Sequence, residues 1–68
     1  MKMAKIDVTI HNEGSLMLFE LHSDGVREWF DFNVATDPWQ WLGPNVAVDQ
    51  RFAVDLAMEL EDDGFIVR

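Results

Sequence analysis

The chain contains no cysteine, which excludes disulfides and thiolate metal sites as sources of stability. Basic residues are scarce: five Lys and Arg stand against thirteen Asp and Glu, a formal net charge of −8 with both histidines neutral. A field of that sign repels nucleic acid and anionic membrane and draws in basic protein surfaces. Direct binding to DNA, RNA or a membrane is therefore not expected. No apolar run approaches the roughly 18 residues of a membrane span, and the basic, apolar and small-residue parts of a secretory signal are missing. The expectation is a cytoplasmic protein, in the host cytoplasm if phage-encoded. Catalytic signatures are absent too: there is no H-E-x-x-H, glycine-rich phosphate loop, EF-hand loop or nucleophile elbow. Neither an enzyme nor a cofactor is expected.

What is present must hold a very small fold together. Sixty-eight residues allow one domain, spanning 1–68, in which only about 60% of the unfolded chain's surface is buried on folding. Three Trp, five Phe and four Met have to supply that burial, which argues for core roles for most aromatics before any is offered to a ligand.

Ile6, Val8 and Ile10 alternate with Asp7 and Thr9, the period of a half-buried strand. "HNEG" reads as a turn. "SLMLFEL" follows as a strand apolar on both sides, Leu16, Leu18 and Glu20 opposite Met17, Phe19 and Leu21, which predicts a strand covered on both faces, in the middle of the sheet or under a helix. From Asp24 to Asn33 the period changes to three and four residues, carried by Val26, Trp29, Phe30 and Val34, with Ser23 or Asp24 as cap. Pro38 ends that helix region, and Gly43 with Pro44 makes a second break. If the intervening segment is extended, Trp39 and Trp41 share one side. "NVAVD" predicts a short strand, and Asp49 caps a second helix whose Phe52, Ala53, Leu56, Ala57 and Leu60 form one apolar arc. Gly64 closes it in a left-handed cap and "FIVR" returns as a terminal strand. The fold class is α+β, a small antiparallel sheet of three to four strands packed against two helices, in the order β-β-α-β-α-β.

Arg27, Glu28 and Trp29, then Trp41 and Gly43, then Val48, Asp49, Arg51 and Phe52, and finally Asp63 and Gly64 make a pattern that resembles a family of small, largely uncharacterised proteins of bacteria and their mobile elements. The resemblance runs from about Val26 to Phe65 and implies no particular chemistry. Gly25 departs from it, where a better helix former is expected. In general character the chain is also similar to phage anti-CRISPR proteins, many of which are tiny, acidic, poor in cysteine and without enzymatic motifs.

Two rows of carboxylates carry the functional expectation. Asp24, Glu28 and Asp31 lie on one side of the first helix and Asp55, Glu59 and Asp62 repeat that spacing of four and three on the second, beside the apolar arc. Each row sets negative groups about 5–6 Å apart, comparable with successive phosphates of a nucleic-acid strand. With Trp39 as a partly exposed anchor, these residues are the expected partner-binding set. The partner is the basic surface of a bacterial protein or nucleoprotein complex, occluded by a monomer or weak homodimer. The alternative is a homo-oligomeric or regulatory interaction module without nucleic-acid mimicry, in which exposed aromatics meet one another. Arg51 is expected to pair with Asp55. His11 and His22 flank the second strand near Glu13 and Asp24, where plain surface roles outweigh a metal site, and Glu61, Asp62 and Asp63 keep the second helix end solvated.

Overall fold

The computed structural model describes residues 5–68. Its centre is β2 (Leu16–Leu21), flanked by β1 (Val8–Asn12) and β4 (Asn45–Asp49), with the two-residue β3 (Trp41–Leu42) beyond β4. All paired strands are antiparallel, in the order β1-β2-β4-β3. Two helices, α1 (Asp24–Asn33) and α2 (Gln50–Asp62), complete an α+β fold in which the sheet packs against both.

Register explains which face is covered. Val8 pairs with Leu21, Ile10 with Phe19, and Phe19 in turn with Val46, so these side chains share one side of the pleat. That side meets Val26 and Phe30 of α1 and Ala53, Leu56 and Leu60 of α2 in one core. Phe30 is its hub: fully buried, it makes edge-to-face contacts with Phe19, Trp29 and Trp41 at centroid distances of 6.0, 5.7 and 6.5 Å, an arrangement that aromatic quadrupoles favour.

The helix ends form where sequence chemistry places them. The Ser23 hydroxyl accepts from the Val26 amide, and an Asp49 carboxylate oxygen from that of Arg51. At the other end of α2, Gly64 adopts φ +94. Its amide donates to the Glu61 carbonyl at 3.0 Å while the Phe65 amide donates to Leu60 at 3.0 Å, the paired bonds of a Schellman cap.

Several expectations are corrected. β1 runs on through His11 and Asn12, and the hairpin turn is shifted past them: Asn12 Oδ1 accepts from the Gly14 amide at 2.9 Å. β2 is central but covered on only one face, since both helices take the Phe19 side and leave Leu16 and Leu18 half-buried. Trp39 and Trp41 do not share a side of an extended segment, because Pro38–Gln40 is a 3-10 turn closed by the Gln40 amide on the Asp37 carbonyl. Gly43 at φ +64 then turns the chain through a two-residue hairpin, pairing Leu42 with Asn45, as glycine in the first central position favours. The terminal segment is a single parallel bridge, Val67 beside Val8, rather than a strand. It nevertheless covers the β1 edge: the Asp7 and Val8 amides donate to Ile66 and the Arg68 amide to Val8, satisfying groups that an open edge would expose.

Candidate protein interface

Every carboxylate of the two predicted rows is exposed: Asp24, Glu28 and Asp31 on α1, and Asp55, Glu59 and Asp62 on α2. Because α1 buries Val26 and Phe30, its row points away from the core. On α2 the buried side is Ala53, Leu56 and Leu60; at about 100° per residue Glu59 stands beside it, while Asp55 and Asp62 turn further round toward the opposite side. Phe52, which the helix period sets at the edge of that side next to Leu56, is nevertheless exposed. Both helices lie on one side of the sheet, so the two rows share the outer side of the helix layer. None of the six is ion-paired with a described residue.

A cleft of about 310 Å³ opens at the C-terminal end of α2, between Trp29 and Asn33 of α1 and Glu59, Asp62 and the cap residue Asp63. The Trp29 indole N–H donates to Asp63 Oδ2, and Asn33 Nδ2 donates to the Trp29 carbonyl at 3.0 Å. Asp63 is thus a tie between the helices, a role the "LEDDG" run alone does not reveal because its partner lies 34 residues away in the chain.

Trp39 belongs to neither row. It stands on the 3-10 turn and is 63% exposed, while its neighbour Trp41 is half-buried and donates its indole N–H to Thr36 Oγ1 at 2.8 Å. Gln40 fastens the turn to the sheet, accepting from the Asp37 amide at 2.7 Å and donating to the Ala47 carbonyl at 2.9 Å. Other large apolar side chains face solvent on the helices: Phe32 of α1, 91% exposed, and Phe52, Val54 and Met58 of α2.

Arg51 does not pair with Asp55. It turns back to Asp49, Nε and Nη2 donating to the two carboxylate oxygens at 3.1 and 3.0 Å, with the guanidinium also over the Phe52 ring at 5.7 Å. The side-chain hydrogen bond from Arg51, helped by the Arg51 amide, holds the Asp49 carboxyl below the usual carboxylate range, and the same bond raises Arg51. The geometry is bidentate and available two residues apart because Asp49 is the cap rather than part of the helix.

The opposite surface, the open face of the sheet, is chemically different. The histidines there find Glu20 and Thr9 rather than Glu13 and Asp24: His11 Nε2 lies 2.9 Å from Glu20 Oε1, and His22 Nε2 lies 2.8 Å from Thr9 Oγ1 and 4.0 Å from Glu20. The hydrogen bond with His11 is the main reason that the Glu20 carboxyl is lowered, ahead of the opposing effect of burial. Among the described residues no group of three or more His, Asp or Glu is arranged to hold a metal ion, and no helix is long and apolar enough to cross a membrane.

No protein-family model, curated protein or solved structure matches the chain. The candidate interface therefore stands on its own geometry.

Proposed function

We propose that the protein acts by binding another protein, as a small regulatory interaction module of the bacterial or host cytoplasm. The exposure of Phe32, Trp39, Phe52, Val54 and Met58 carries this reading. A chain this short needs its large side chains for the core, and an apolar surface left over is the usual mark of a partner site when its members are grouped. Aromatic anchors such as Trp39 and Phe32 contribute affinity, and the surrounding carboxylates contribute steering and selection against acidic partners.

A second, more specific reading has its own support in the six exposed carboxylates, none ion-paired with a described residue. In it the module covers a basic, nucleic-acid-binding surface of a bacterial defence complex, in the manner of an anti-CRISPR protein, with Asp24, Glu28 and Asp31 or Asp55, Glu59 and Asp62 set against Lys and Arg.

Capture from bacterial lysate at low and at about physiological salt, followed by mass spectrometry, tests both. The module reading expects a saturable partner that survives the higher salt and is lost with Phe32→Ser, Trp39→Ser and Phe52→Ser combined. Identical capture by the wild type and this folded variant would remove the reading. The mimicry reading expects basic nucleic-acid-binding proteins that salt releases and that Asp55→Lys, Glu59→Lys and Asp62→Lys together abolish. Partners indifferent to that reversal would leave only the first.

A further inference from the structure

Helix α2 is amphipathic inward, yet its outer side is not simply polar. Val54 is 69% exposed, Phe52 61% and Met58 57%. Val54 and Met58 stand four residues apart, so one lies above the other on the helix surface. At about 100° per residue they fall on one side of the Asp55, Glu59 and Asp62 row, and Phe52 falls on the other. The surface is therefore a mixed strip, with a methyl-rich edge and an aromatic edge enclosing three carboxylates. Single exposed apolar residues need no explanation, but these are gathered on a single helix.

The cation on this helix is already engaged. Arg51 is held by both oxygens of Asp49 at 3.1 and 3.0 Å and lies over Phe52, which leaves Asp55, Glu59, Glu61 and Asp62 of α2 without an ion pair among the described residues. Whatever covers this strip must bring apolar groups to its edges and positive charge to the carboxylates beside Val54 and Met58. A second copy of this chain is a poor occupant, since it would bring the same acids, or those of α1, against the row, and opposed like charges are costly at an interface. A phosphate-binding groove is a poor occupant for the complementary reason: it matches the row but has little to offer the methyl-rich edge.

We infer that the outer face of α2 docks a cationic amphipathic segment of another protein, its apolar side chains on Val54, Met58 and Phe52 and its Lys or Arg side chains on Asp55, Glu59 and Asp62. This rests on the interaction-module reading and names the surface and the partner's chemistry. Met58 suits the role, because a flexible, polarisable thioether adapts to apolar surfaces of differing shape.

The experiment titrates the full-length, isotope-labelled protein with a synthetic leucine-lysine peptide of about 18 residues, long enough to become helical on contact, its leucines on one face. Amide resonances of Phe52–Asp62 are expected to shift, while those of Thr9, His11 and Leu18 on the open sheet face stay in place. Val54→Gln with Met58→Gln keeps charge and does not lower helix propensity, and is expected to weaken binding by about tenfold or more. Asp55→Asn, Glu59→Gln and Asp62→Asn together should weaken it and flatten its salt dependence. A lysine-serine peptide without leucine should bind more weakly than the leucine-lysine peptide. Shifts centred elsewhere, equal binding of the two peptides, or undiminished binding by the Gln variant with an unchanged melting temperature would each overturn the assignment. Concentration-dependent dimerisation that the Gln variant abolishes would assign the face to a second copy and overturn it too. If the peptide ignores α2 while the lysate partner is still captured through Phe32 and Trp39, the docking surface falls and the module reading stands. Loss of both results removes both.

Discussion

The two outward surfaces of this protein handle polar groups in opposite ways. On the open face of the sheet, Glu20 meets His11, and His22 meets Thr9, so polar side chains are answered within the molecule. On the outside of the helix layer, six carboxylates face solvent without an ion pair to any described residue, interspersed with Phe32, Phe52, Val54 and Met58. Cross-strand geometry brings residues distant in sequence within hydrogen-bonding reach, so a sheet can satisfy its own polar groups. A helix surface offers neighbours three and four residues away, and here Arg27, within that reach of Asp24 and Asp31, and Arg51, within that reach of Asp55, form no ion pair with them. The difference lies in internal matching: among the described residues, the helical side carries the charged groups that the fold leaves without an ion pair.

The comparison breaks most completely at Phe30, on which both surfaces depend. Phe30→Ala removes the ring joining α1 to β2 and to Trp41 and is expected to cost about 3–5 kcal/mol, enough to unfold much of the population of so small a domain. Chemical denaturation checks it, and a loss below about 1 kcal/mol would show that the core tolerates the cavity by collapse. Ser23→Ala tests the helical side alone: loss of the bond to the Val26 amide should cost about 1 kcal/mol and fray the start of α1 in hydrogen exchange. Gly25→Ala acts in the other direction. A Cβ there would meet only a Phe65 ring carbon at 3.8 Å, ordinary contact, so the substitution should stabilise by about 0.5 kcal/mol.

The sheet side is sharpened by pH. Glu20 is depressed by its His11 partner, so its contribution to stability is complete above the ordinary carboxylate value and is lost as pH falls through the depressed one. The melting temperature of Glu20→Gln should therefore lie below that of the wild type at mild acidity, and the two curves should converge at lower pH. A constant offset would show that the hydrogen bond does not select the ionised form. The smallest effect belongs to the rows. Glu59→Gln relieves like-charge neighbours at Asp55 and Asp62 and should stabilise by a few tenths of a kcal/mol at low salt, fading as salt rises.

Much of the architecture was legible from local chemistry. The bounds of α1, its Ser23 cap, the Asp49 cap and the Gly64 terminus all follow from interactions within one turn of chain. The exposure of Asp24, Glu28, Asp31, Asp55, Glu59 and Asp62 follows from helix period once the buried side is known. Trp39 was legible as the more exposed of its pair, although the reason differs: Pro38 and Gln40 build a turn, and β3 begins only at Trp41. Phe52 was misplaced because an arc drawn on hydrophobicity counts every apolar residue, whereas the sheet has room only for Ala53, Leu56 and Leu60. The Trp29–Asp63 bond, the Glu20–His11 pair and the covering of β1 by residues 66–68 join points far apart in the chain, and no local signal announces them.

From sequence alone come the acidity, the helix caps, the turn glycines and the alternation that makes β1, each dictated by charge balance or by the stereochemistry of a few adjacent residues. Tertiary structure decided that Trp29 reaches Asp63, that residues 66–68 cover β1, and that Phe52, Val54 and Met58 remain outside. Only packing in three dimensions settles which of several apolar sides is buried, because a core of fixed volume accepts one set of side chains and leaves the rest to solvent.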